Sequence, residues 1–152
     1  MCYRTGTNLS LKETIMLQTT DADTLRQLLT DARVIAVVGH SDQPHRTSYQ
    51  IASYLRRMGY KVYPVNPTVT EINGEPSYAT LADVPEPIDI VNVFRRSEYL
   101  SGVVDDAIAV GAKAVWAQLG VYDDGAAQKA EAAGLPIVMD ACIKVEHARL
   151  LR

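Results

Sequence analysis

The ten residues from Gly39 to Ser48 carry the densest chemistry in the chain: Gly39-His40-Ser41-Asp42-Gln43-Pro44-His45-Arg46-Thr47-Ser48. They follow the apolar run Val34–Val38 and precede a segment in which Ile51, Ala52, Leu55 and Met58 form one helical stripe. A helix starting after such a loop presents unpaired N–H groups and a partial positive charge. Phosphate is the natural ligand for that arrangement. Ser41 and Ser48 add hydroxyls, and Arg46 can grip phosphate oxygens with two parallel bonds. Only Gly39 could serve in a Gly-x-Gly-x-x-Gly fingerprint, so an ordinary nicotinamide dinucleotide site is disfavoured. The plain alternative is a loop joining strand to helix, with Ser48 as the helix cap.

Other reactive or polar residues fall at four later places: Asn66-Pro67, Phe94-Arg95-Arg96, Gln118-Leu119-Gly120 and Asp140-Ala141-Cys142. No acidic residue lies between Asp42 and Glu71, while Arg46, Arg56, Arg57 and Lys61 do. Arg56 and Arg57 read as a solvated helix face; Arg46 and one of Arg95 or Arg96 are the phosphate candidates. His40 and His45 have no third ligand in fixed spacing, so no metal site is expected, and both read as exposed or hydrogen-bonding side chains. His147, beside Glu146 and near Arg149, reads as part of a helix-surface pair, with a phosphohistidine or acid–base role as the alternative. Ser41 and Ser48 lack a nucleophile elbow. Trp116 reads as core. Cys142 is either a buried inert thiol or a reactive one at the ligand edge. Cys2 and Cys142 form neither a disulfide framework nor a metal motif.

The elements that must position these residues are regular. A helix is predicted from the caps Thr20 and Asp21 to about Ala32, carrying Leu25, Leu28 and Leu29. Strands are predicted at Val34–Val38, 61–65, 88–94, 113–117 and 136–139. Gly59, Gly111 and Gly134 each stop a helix just before a strand. Leu100, Val103, Val104, Ala107 and Ile108 pattern one helix. An alanine-rich helix starts at Asp123 or Asp124, and a last one covers about Lys144 to Leu151. Between Thr68 and Pro87 only the turn signal Asn73-Gly74 and a helical turn at Thr80–Asp83 stand out. Strand and helix alternate five times, which predicts an α/β fold: one domain with a doubly wound, five-stranded parallel sheet and helices on both faces. Ligands of such sheets bind outside the carboxyl ends of the strands, where strand order reverses. The five polar clusters are those ends.

At 152 residues the chain suits one domain. Its 47% hydrophobic and 22% charged content is globular. A net charge of −3 argues against general attraction to nucleic acid or an acidic membrane. No apolar run approaches the roughly 18 residues of a membrane span, and the first 20 residues lack a signal-peptide pattern. The expectation is a reduced, cytoplasmic protein with a flexible segment over 1–20 and a folded domain over 21–152. Met16 is an alternative start.

In order along the chain, Val37-Val38-Gly39-His40-Ser41 with Pro44, Arg46 and Ser48-Tyr49, then Gly59-Tyr60-Lys61-Val62-Tyr63-Pro64-Val65-Asn66-Pro67, resemble the CoA-binding domain family. Val93-Phe94-Arg95-Arg96, 114–120 and 139–147 extend the match. The family includes small stand-alone proteins and the N-terminal domain of the succinyl-CoA synthetase alpha subunit. The resemblance implies a Rossmann-like sheet holding coenzyme A or an acyl-CoA. It places Gly39, His40, Ser41, Arg46 and Ser48 around the phosphates. Asn66, Pro67, Phe94, Arg95 and Arg96 would flank the nucleotide end, and Gln118 and Gly120 the path of the pantetheine. The chain ends at Arg152, and nothing in it matches the synthetase's phosphorylated-histidine segment, so binding without catalysis is expected. Two alternatives remain: a mixed disulfide between Cys142 and CoA, and an accessory subunit of an acyl-CoA-using enzyme. A homodimer or an acyltransferase would then be the protein partner.

Overall fold

The computed structural model describes residues 21–151. The segment 1–20, with Cys2 and the alternative start Met16, lies outside the described residues. In chain order the elements are α1 (Ala22–Asp31), β1 (Val34–Val38), α2 (Thr47–Arg57), β2 (Lys61–Val65), β3 (Glu71–Ile72), β4 (Glu75–Pro76), β5 (Ile90–Val93), α3 (Leu100–Ala109), β6 (Ala114–Ala117), α4 (Asp124–Ala132), β7 (Ile137–Val138) and α5 (Ile143–Leu151). Short 3-10 turns at Leu81–Asp83 and Ser97–Tyr99 lead towards β5 and α3.

Five strands form one parallel sheet in the order β2-β1-β5-β6-β7. β1 and β5 are buried along their whole lengths, as the continuous apolar runs require of strands covered on both faces. Successive side chains alternate between two cores. Ile35, Val37, Ile90, Trp116 and Val138 pack with Leu25 and Leu29 of α1, Ile51, Ala52 and Leu55 of α2, and Ile143 of α5. Ala36, Val38, Val91, Val93, Val115 and Ala117 pack with Leu100, Val103 and Val104 of α3 and the alanines of α4. Trp116 is fully buried, as expected of a core residue, and its Nε1–H donates to the Ala141 carbonyl at 3.1 Å.

Three strands are shorter than predicted: 88–94, 113–117 and 136–139 reduce to Ile90–Val93, Ala114–Ala117 and Ile137–Val138. The 88–94 strand keeps only Ile90–Val93, because Asp89 is drawn into a different task. Its carboxylate accepts from the Arg33 and Val34 N–H groups, each at 2.9 Å, and stitches the α1–β1 turn to the sheet. The stretch predicted as irregular contains a small hairpin, β3–β4. Asn73 and Gly74 both have positive φ, 53° and 83°, which is the backbone of a tight hairpin turn with the twist strands prefer.

His147 is a correction. The expected surface pair is made by Glu146 and Arg149, 2.6 Å apart. His147 itself is buried, and its Nδ1 lies 2.8 Å from the Tyr54 hydroxyl of α2. His147 lies four positions after the buried Ile143, on the same inward face of α5, and Tyr54 is the polar partner that waits there.

Candidate functional site

The order of strands reverses between β1 and β5, and here the backbones leave the sheet side by side. A Cβ on residue 39 would lie 2.6 Å from the Phe94 carbonyl oxygen. Gly39 also has φ 87°, so both sterics and handedness demand glycine. Above it lies a cleft of about 360 Å³ lined by Gly39, Ser41, His45, Arg46, Thr47, Ser48 and Phe94.

The N-terminus of α2 forms one wall of this cleft. Its N-cap residue is Arg46, and no side chain caps it. Ser48, the expected cap, lies inside the first turn. Its Oγ accepts from the Ser41 N–H at 3.0 Å, and the Ser41 Oγ accepts from the Gln43 N–H at 2.9 Å. These hydroxyls fold the loop instead of closing the helix. The first helical bond runs from the Gln50 N–H to the Arg46 carbonyl, so the N–H groups of Thr47, Ser48 and Tyr49 have no acceptor within the helix. By contrast, α1 and α4 are capped by Asp21 and Asp123. No acidic side chain lies in the first turn of α2. Among the described residues the Arg46 guanidinium makes no ion pair. The result is an uncapped helix end, with one uncommitted arginine, facing a cleft.

Of the two expected readings, exposed or hydrogen-bonding, His40 takes the hydrogen-bonding one. It is fully buried and absent from the cleft wall. Its ring meets Tyr49 edge-on at 6.0 Å. Nδ1 lies 2.8 Å from the Ser41 carbonyl oxygen, so Nδ1 carries the proton. Burial pulls the pKa down, the Ser41 carbonyl opposes this, and nearby Arg56 adds to the lowering; the outcome is about 4. The ring is therefore neutral at pH 7 and offers phosphate no charge. Arg56, expected on a solvated face, is half-buried, and burial lowers its own pKa. Arg57 is exposed as expected.

The structure divides the remaining residues. Arg95 and Pro67 line a second cleft of about 100 Å³ with Val38, Val65, Thr80 and Asp106. Val38 and Val65 belong to the core under α3, so this cleft opens on the opposite sheet face from Gly39. The Arg95 guanidinium stacks 4.4 Å from the centre of the Tyr99 ring. Arg96 points to solvent and sits 3.6 Å from Glu98. Asn66 braces the loops: its Nδ2 donates to the His40 carbonyl at 3.0 Å, and its Oδ1 accepts from the Thr68 N–H at 3.0 Å. Gln118 is buried beyond the end of β6. The Gly120 N–H donates to Asp140 Oδ1 at 2.7 Å. Cys142 is half-buried just before α5.

Asp140, in the last of the expected strand-end clusters, holds the Gly120 loop from a left-handed backbone, φ 55°. Asn92 is wholly buried in β5, and its Nδ2 donates to the Trp116 carbonyl at 3.1 Å. A single amide within the apolar run Ile90-Val91-Asn92-Val93 is its sequence signal. Among the described residues no cluster of His, Cys, Asp or Glu could hold a metal ion, and no helix is long and apolar enough to cross a membrane.

A family model described as a CoA binding domain matches residues 33–148, which spans the sheet, the cleft and the first part of α5. The chain belongs to the CoA-binding domain family. YneT of Bacillus subtilis is 43% identical over 124 residues, covering 82% of this chain and 92% of YneT. The structure of a protein from Pyrococcus horikoshii superposes with a TM-score of 0.86 at 38% identity, covering 89% of this chain and 95% of that one. The alpha subunit of the ADP-forming acetate–CoA ligase II of Pyrococcus furiosus is 29% identical over 84 residues, 55% of this chain but 18% of the ligase subunit. This CoA-binding domain thus corresponds to a small part of that ligase subunit and to almost the whole of YneT.

Proposed function

We propose that the protein binds coenzyme A or an acyl-CoA without transforming it, with the diphosphate in the Gly39–Ser48 cleft. The observation that carries this reading is the uncapped N-terminus of α2, with Arg46 beside it and Gly39 at its base. Three free N–H groups, a helix dipole and a bidentate cation suit a diphosphate. The second cleft, with Arg95, offers a separate cation for the 3′-phosphate, which nicotinamide dinucleotides of the plain type lack. The hydroxyls of Ser41 and Ser48 already accept loop hydrogen bonds, and the neutral His40 is turned away from the cleft. Neither arrangement activates a nucleophile.

Calorimetric titration with CoA tests the reading. Arg46→Ala should weaken binding by about tenfold, the worth of one charge-assisted hydrogen-bond pair at roughly 1.5 kcal/mol. Unchanged affinity, or no binding by the unaltered protein, would refute it. Acetyl-CoA incubated with the protein should release no free thiol.

A second reading follows from Cys142. It follows β7, the third strand across from β1, about 14 Å away at roughly 4.8 Å per strand. Its thiolate could attack CoA disulfide, forming a Cys142–S–S–CoA bond and releasing one CoA thiolate. Intact mass after incubation with CoA disulfide decides this, since an unmodified folded chain removes it.

A further inference from the structure

Among the described residues seven large apolar side chains are exposed, and three of them, Tyr99, Leu119 and Tyr122, stand on the two loops that leave β5 and β6 at the carboxyl edge. Leu119 is the most exposed of the seven, at 66%. It sits at the tip of a tight turn. The Val121 N–H donates to the Gln118 carbonyl at 2.8 Å, and Gly120 has φ 86°, the positive value that the third position of such a turn requires. The turn is held from both sides, so its leucine is kept facing outward. On one side the Gly120 N–H donates to Asp140 Oδ1 at 2.7 Å, and the Asp140 N–H donates to the Val121 carbonyl at 3.0 Å. On the other, Ser97 Oγ donates to the Gly120 carbonyl at 3.4 Å and accepts from the Tyr122 N–H at 2.9 Å. The Ser97 bonds also join the Tyr99 loop to the Leu119 loop. The Tyr122 ring is tethered through its hydroxyl, which donates to Asp124 Oδ1 at 2.7 Å. These loops form a preorganised apolar ledge, whose hydration is released when a hydrocarbon covers it.

The position of the ledge points to its occupant. The wall of the phosphate cleft ends at Phe94, and the loop that continues from Phe94 carries Tyr99. The Leu119 loop follows β6, the neighbour of β5 in the sheet, one strand or roughly 4.8 Å further along the edge. Towards β2 the edge is closed instead, where Asn66 ties its loop to the His40 carbonyl. A ligand gripped by its phosphates in the cleft therefore meets its apolar surface on the β6 side. In an acyl-CoA the part that is hydrocarbon, and that varies between ligands, is the acyl group at the end remote from the nucleotide. We infer that Tyr99, Leu119 and Tyr122 receive that acyl group, and that it is an uncharged hydrocarbon chain rather than a dicarboxylic one. The frame of the ledge is acidic: Asp124 and Asp140 are bonded into it, Asp123 lies between Tyr122 and Asp124, and Glu98 precedes Tyr99. Arg96 pairs with Glu98, and Arg95 lies over the Tyr99 ring, where it serves the 3′-phosphate. A carboxylate at the end of an acyl chain would face these acids without a cation of its own. The inference rests on the coenzyme A reading and adds to it the class of acyl group.

Calorimetric titration with CoA, hexanoyl-CoA and succinyl-CoA tests it. The unaltered protein should bind hexanoyl-CoA about tenfold more tightly than CoA, the worth of roughly two methylene groups removed from water, and succinyl-CoA no more tightly than CoA. This ligand comparison needs no variant. Leu119→Ser combined with Tyr122→Ser, both at exposed positions, should bring hexanoyl-CoA down to the affinity of CoA and leave CoA itself unchanged. Light scattering at the same concentrations examines the competing occupant: a dimer that the double variant abolishes would give the ledge to a second copy of the chain and overturn the inference. Equal affinities for CoA and hexanoyl-CoA, a preference for succinyl-CoA, or a hexanoyl preference that survives the double variant would overturn it as well, and each leaves CoA binding intact. Failure of CoA itself to bind would overturn the coenzyme A reading and this inference with it.

Discussion

His40 makes the stability of this protein depend on pH in a window that can be worked out. Its folded pKa is about 4, against an ordinary value of 6.5. Between these values the unfolded chain takes up a proton that the folded chain refuses. Stability therefore falls as the pH drops below about 6.5 and stops falling, for this group, near pH 4. The gap of about 2.5 pH units corresponds to about 3 kcal/mol at roughly 1.4 kcal/mol per unit. Complete burial of the ring and the nearby Arg56 are the physical origin: a charged imidazole here would lose water and face a cation. Urea unfolding of the native protein and of His40→Gln, at half-unit steps from pH 4 to pH 7.5, separates this effect from every other titrating group. The unaltered protein should lose about 3 kcal/mol more than His40→Gln across that range. A stability difference between the two that stays constant with pH would refute the reasoning.

Gly39→Ala should destabilise by about 2–5 kcal/mol, combining the left-handed backbone cost with a clash against the Phe94 carbonyl; thermal unfolding checks it, and CoA affinity should fall in parallel. Tyr54→Phe leaves His147 without its 2.8 Å partner hydroxyl and should cost about 1–3 kcal/mol, with amide exchange accelerated in residues 143–151 above all. Asp89→Ala removes the acceptor for the Arg33 and Val34 N–H groups and should cost a similar amount. Burial raises the Asp89 carboxyl's pKa, but those two bonds and Lys113 outweigh it and hold the value below 3.8. The difference from the unaltered protein should therefore be fully present above that pH and shrink as pH falls beneath it, seen by acid titration of stability.

The alternation of apolar strands with stop glycines made the sheet legible, because each element satisfies its own backbone locally and its apolar pattern reports how many faces are covered. The cleft was legible for a related reason. A strand, a glycine and a polar loop before a helix necessarily put free N–H groups beside Arg46 and Ser48. Side-chain direction was less accessible. Ser48 looked like a cap but bonds Ser41, and His147 looked superficial but meets Tyr54, a residue 93 positions away.

The sequence by itself determined which residues reach the carboxyl edge of the sheet, since strand ends follow from where apolar runs stop. Only the tertiary structure decided which of them face each other. Strand order set β1 beside β5, so Gly39 meets Phe94, while the pleat sent Arg95 to the opposite face. It also exposed Asn92, whose unpaired oxygen becomes visible only when the strands on both sides are in register. Local periodicity is written in neighbouring residues. Pairing across the sheet depends on a register between strands distant in the chain, and it is that register which turns five polar clusters into one site with two faces.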